Sequence, residues 1–136
     1  MLFRSVERHR ALRLRQAELY DAAIAELEGI EPVAADPRDL HARHLYVVRV
    51  DAAHAGATRD AYREALTAEN IGTSVHFLPV HRLTAYRERF PEQPPLPVAE
   101  RAGAEVLSLP LSPAHSEQDI QDAIDALRRV HASFTA

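Results

Sequence analysis

The chain has 136 residues, 46% of them apolar, which fits one domain with a core of its own and argues against global disorder. A net charge of −4 argues against broad nucleic-acid binding, and the absence of cysteine removes disulfides and thiolate metal sites. All sixteen basic residues are arginine, so no lysine amine is available as a nucleophile or for a Schiff base.

Met1-Leu2-Phe3-Arg4-Ser5 begins abruptly against a segment that already reads as helix. Leu-Phe-Arg-Ser is also one reading frame of a common sequencing-adapter end. Residues 1–5 are therefore expected to be non-native, with the gene continuing upstream. Ser5 to Leu27 reads as one long helix, rich in Arg, Ala, Leu and Glu and free of internal Gly or Pro. Leu12, Leu19, Ala23 and Leu27 supply the helical spacing, and Gly29 ends it. Its arginine-rich first half suits a solvated face, or packing against a further domain, better than a nucleic-acid surface.

Glu31 to Ala42, with Pro32 and Pro37, reads as a polar loop. His44 to Val50 reads as a strand whose near-continuous apolar content places it centrally in a sheet. Asp51 to Thr58 is a turn, and a helix from Thr58 or Arg59 to about Glu69 turns Ala61, Ala65 and Leu66 inward. Asn70-Ile71-Gly72 breaks that helix. Thr73 to Phe77 reads as a second strand, and Leu83 to Arg89 as a short helix. Pro91 to Pro97 makes a stiff loop, followed by a helix over Val98–Val106 and a strand over Leu107–Leu111. Ser116 caps a last helix with Asp119 as a capping-box partner, and Ile120, Ile124, Leu127 and Val130 form its apolar stripe. The order implies an α/β fold: a small sheet of about three strands packed with helices and preceded by a long N-terminal helix.

Eight histidines invite a metal reading, but no His-Glu-x-x-His helix occurs and none is assigned a metal. His76 and His81 bracket a strand end followed by Pro79, which would stiffen the segment and turn side chains out of the sheet edge. There a histidine can donate to a phosphate or a sugar hydroxyl; the structural alternative is a half-buried residue satisfied by backbone. No nucleophile elbow or phosphate-cradling glycine loop is present. No apolar run is long enough to span a bilayer, and no signal pattern follows Met1, so a cytoplasmic protein without membrane or nucleic-acid partners is expected.

Taken in order, several strings resemble the DegT/DnrJ/StrS family of pyridoxal-phosphate-dependent sugar aminotransferases. These are His44 to Val50, Arg59 opening a helix, Ile71-Gly72-Thr73-Ser74-Val75-His76-Phe77-Leu78-Pro79-Val80-His81, Tyr86-Arg87, Pro97 to Arg101 and Leu107 to Leu111. The likeness runs from about Val6 to Leu127 and is to the C-terminal small domain alone. Residues 1–28 resemble the helix linking that family's two domains, and residues 29–136 the small domain. The resemblance implies a homodimeric fold-type I parent that moves an amino group from glutamate, or sometimes glutamine, to a keto sugar usually carried on a nucleotide diphosphate. It implies that the absent large N-terminal domain supplies the lysine and the pyridoxal phosphate site, so this chain alone holds no cofactor and supplies no catalytic residue. It assigns His76 and His81 to the sugar or its phosphates, with Tyr86 in support. A parent dehydratase, or a standalone non-catalytic binding module, are the alternatives.

Overall fold

The computed structural model describes residues 5–36 and 38–136. The reading of Met1 to Arg4 as non-native, and the place of Pro37 in its loop, lie outside the described residues. The elements are α1 (Val6–Ile24), β1 (Ile30–Pro32), β2 (Tyr46–Val50), α2 (Arg59–Ala68), a 3-10 turn (Val80–Arg82), α3 (Thr84–Arg89), α4 (Pro97–Glu105), β3 (Val106–Leu109) and α5 (Glu117–Thr135). The fold is α/β, with a three-stranded antiparallel sheet in the order β1-β2-β3. No helix among the described residues is long and apolar enough to cross a membrane.

The central place of β2 follows from its composition. Tyr46, Val48 and Val50 are buried on one face, while Val47 and Arg49 occupy the other. Leu107 and Leu109 continue the buried face on β3, where they share one core with Tyr20 and Ile24 of α1, Tyr62 and Leu66 of α2, and Ile120, Ile124 and Leu127 of α5. Each such side chain contributes about 1.5–3 kcal/mol on burial. Tyr20 stacks on Tyr46 at 4.8 Å between centroids, donates from its hydroxyl to the Pro110 carbonyl, and so ties α1 to the end of β3. Gln16 adds a second tie, its amide donating to the Ser112 and His115 carbonyls at 2.9 Å each.

Several sequence expectations are corrected. Helix α1 ends three residues before Leu27, and Leu12 is exposed, so the inner face starts at Gln16. The start of the expected Glu31–Ala42 loop belongs to strand β1, with Ile30 opposite Val50 and Pro32 opposite Val48. Proline is tolerated there because β1 is an edge strand. On α2 the buried anchor is Tyr62 rather than Ala61. The expected strand Thr73–Phe77 forms no ladder: only Ser74 pairs, exchanging both backbone hydrogen bonds with Ser108 of β3. The cap on α5 is as read, with Ser116 and Asp119 bonded reciprocally.

Candidate functional site

The face of the sheet turned away from the α1–α2–α5 core carries Val47, Arg49, Val106 and Ser108; α4 packs on it, and His76 reaches it at Ser108. Arg49 donates twice to Glu105 at the end of α4, at 2.9 and 2.7 Å, which ties that helix to the sheet. The Thr73–Leu83 segment is then held at three points. The Ser74–Ser108 backbone pair holds its start. His76 Nδ1 lies 2.8 Å from the Ser108 hydroxyl, and its ring meets Phe77 edge-on at 4.9 Å. Pro79 packs against Gly103 of α4 so closely that a Cβ there would stand 2.4 Å from the proline Cγ and Cδ.

His81 follows in the 3-10 turn, its side chain 15% exposed, with Nε2 3.4 Å from a Glu100 carboxylate oxygen. That approach lacks hydrogen-bond geometry, and Nε2 is a buried atom without a partner. His81 and Glu100 line a polar cleft of about 680 Å³ together with Thr84, Arg87 and Gln93. Tyr86 lies on α3, exposed, beside Phe90 at 6.3 Å between centroids. The structure thus places His76 at the edge of β3, His81 against α4 and Tyr86 on α3. Among the described residues no hydrogen bond or ring contact joins any two of the three.

With its inner side anchored, the segment turns its apolar side chains outward: Phe77 is 75% exposed, Leu78 62% and Val80 53%. They border an apolar cleft of about 850 Å³ whose opposite wall is the start of α2, with Arg59, Asp60 and Arg63. Arg59 is itself buried. Its guanidinium donates to the Val106 carbonyl and to Asp60 at 2.8 Å each, fixing the start of β3 to α2. Among the described residues no group of three or more His, Cys, Asp or Glu side chains could hold a metal ion.

Sequence reasoning named Arg59 only as a helix start and passed over Ser108 and Gly103. The signal for Ser108 was there: a hydroxyl between two leucines in a strand buried along most of its length needs a partner. Gly103 gave none, because a helical glycine is read as a weak position until the residue packed on it is known.

A short antiparallel sheet with a helical layer on one face and a long N-terminal helix defines the class as a small α/β fold. Residues 2–128 match the model of the DegT/DnrJ/EryC1/StrS aminotransferase family, and the chain belongs to that family. The aminotransferase TlmJ from Streptoalloteichus hindustanus superposes with a TM-score of 0.86 at 30% identity, over 98% of this chain and 34% of that one. DesI, solved in the presence of its TDP-sugar product, gives 0.83 at 33% identity, over 93% of this chain and 32% of that one. DesV of S. venezuelae, in complex with a ketimine intermediate, gives 0.82 at 32% identity, over 93% and 33%. The chain therefore spans about a third of the length of the solved structures it matches.

Proposed function

We propose that this chain is the small-domain third of a pyridoxal-phosphate-dependent sugar aminotransferase, closing over a site built largely by the rest of the parent protein. Residues 29–136 form the closing domain, and residues 1–28 the helix that joins it to the large domain. The parent moves an amino group from glutamate to a keto sugar, and the TDP-sugar product of DesI favours a nucleotide-linked acceptor. The observation that carries this reading is the anchored Thr73–Leu83 segment. Held to β3 and α4 on one side, in part through His76, it presents a row of apolar side chains on the other.

The residues present do not fit pyridoxal phosphate as a resident group. The chain contains no lysine to bond it covalently, and its four glycines form no phosphate-cradling motif. The cofactor belongs to the remaining two thirds of the parent, and no step through it is assigned to this chain. What these residues do is bind and enclose. His76 donates to the sugar or its phosphates, His81 offers its unpartnered Nε2 within the polar cleft, and Tyr86 supports from α3. The apolar row excludes water from the junction with the large domain.

The test is a chimera in which residues 5–136 replace the third of TlmJ that they match. It is expected to bind cofactor and to transfer an amino group to a keto sugar nucleotide. His76→Ala within it is expected to raise KM for the sugar about tenfold, with little change in KM for the amino donor. A folded, cofactor-loaded chimera without transfer, or one indifferent to His76→Ala, overturns the respective part of the proposal.

A further inference from the structure

Ser108 occupies the middle of β3 with only 4% of its surface exposed. Because it pairs with Val47, its side chain lies on the sheet face opposite the core leucines Leu107 and Leu109. Its hydroxyl has one hydrogen-bond partner among the described residues, His76 Nδ1 at 2.8 Å. A hydroxyl can turn its proton toward whichever acceptor is available, and a buried one left without an acceptor costs free energy. Here the available acceptor is Nδ1, so the serine proton is directed there. A neutral imidazole whose Nδ1 accepts carries its own proton on Nε2.

We propose that Ser108 is a positioning residue that fixes His76 as the Nε2–H tautomer, so that the ring offers substrate a hydrogen-bond donor rather than an acceptor. The geometry supports this in two further ways. The Ser74–Ser108 backbone pair places His76 two residues beyond the bridge, which brings its ring across to the serine. The edge-on contact with Phe77 packs the ring from a second side, so both its orientation and its protonation are set before any ligand arrives. A pre-set N–H donor suits an oxygen that only accepts: a phosphoryl oxygen or a carbonyl of a keto sugar. This use of the donor rests on the proposed placing of His76 against substrate; the tautomer itself does not.

The experiment is a long-range proton–nitrogen correlation of the ¹⁵N-labelled chain at alkaline pH, where imidazoles are neutral. His76 is identified from the signal lost in His76→Gln. Wild type is expected to show Nδ1 as a bare acceptor and Nε2 as protonated, with no detectable share of the other tautomer. Ser108→Ala is expected to shift Nδ1 toward the unbonded value and to admit the minority Nδ1–H form that an unconstrained histidine side chain populates. Ser108→Thr, which keeps the hydroxyl, is expected to restore the wild-type pattern. An Nδ1–H form in wild type overturns the proposal, as does a tautomer ratio unchanged in Ser108→Ala. In the chimera, Ser108→Ala is expected to raise KM for the sugar several-fold, with rescue by Ser108→Thr. The nitrogen shifts need no substrate, so a failed tautomer and a failed assignment of the substrate site give different results.

Discussion

The Tyr62 hydroxyl donates to the Ala55 carbonyl at 2.8 Å, and with its proton so used it accepts from His131 Nδ1 at the same distance. Burial pushes the Tyr62 phenol up to about 12 and holds the His131 imidazole below its ordinary value. Tyr62→Phe should therefore cost about 1–3 kcal/mol, read from the urea midpoint, because two buried groups lose their partner. The sign of the pH effect follows. The unfolded chain takes up the His131 proton first, so this contribution is intact above about pH 6.5 and is lost as pH falls through that value. His54 acts in the opposite sense: Asp51 raises its pKa, so its contribution is present below about 6.5 and fades as pH rises. His54 is well exposed, and its effect is small. The urea midpoint is expected to drop on acidification from neutrality, and His131→Gln to flatten that drop; an unchanged slope would contradict the account. Polar partnerships of this kind were only half legible in the sequence. His76 stood out by its setting beside Pro79. Tyr62 and His131, 69 positions apart, meet only once α2 and α5 are packed.

At the scale of elements, Gly103 is the position most sensitive to the placement of the anchored segment. Gly103→Ala improves helix propensity by about 1 kcal/mol, but its Cβ would stand 2.4 Å from a rigid proline ring. Overpacking of that kind costs about 1–3 kcal/mol. The expected outcome is displaced His76 and Phe77 resonances with the signals of Tyr20 and Tyr62 in place; an unperturbed segment would show that Pro79 is not docked on α4. Ser116→Ala removes a reciprocal cap and should cost about 1 kcal/mol. That cap was readable because it is local, a serine and an aspartate three residues apart. The helices and β2 were readable for the same reason: period and composition. Strand β1 was not, since Ile30-Glu31-Pro32 has one apolar residue and owes its structure to β2. Thr73 to Phe77 has the composition of a strand, yet it leaves β3 after a single pair to run against α4.

For the molecule as a whole, the core is complete on one side of the sheet, while Phe77, Leu78 and Val80 face outward on the other. An apolar surface of this kind drives association. The chain alone is expected to self-associate with rising concentration in sedimentation velocity. Replacing Phe77 and Leu78 by serine is expected to shift it toward monomer with Tm nearly unchanged, and a wild-type monomer at all concentrations would contradict this. Sequence could not place the surface, because exposure is a property of the packed chain. In the proposed function this chain completes an aminotransferase that it cannot constitute alone. The most direct measurement adds the purified chain to TlmJ lacking the third that it matches, with glutamate, pyridoxal phosphate and a keto sugar nucleotide, and follows amino transfer. No turnover is expected from the chain alone, and a rate with both pieces well above that of truncated TlmJ. Turnover by the chain alone, or no gain in rate despite demonstrated binding of the two pieces, would contradict it.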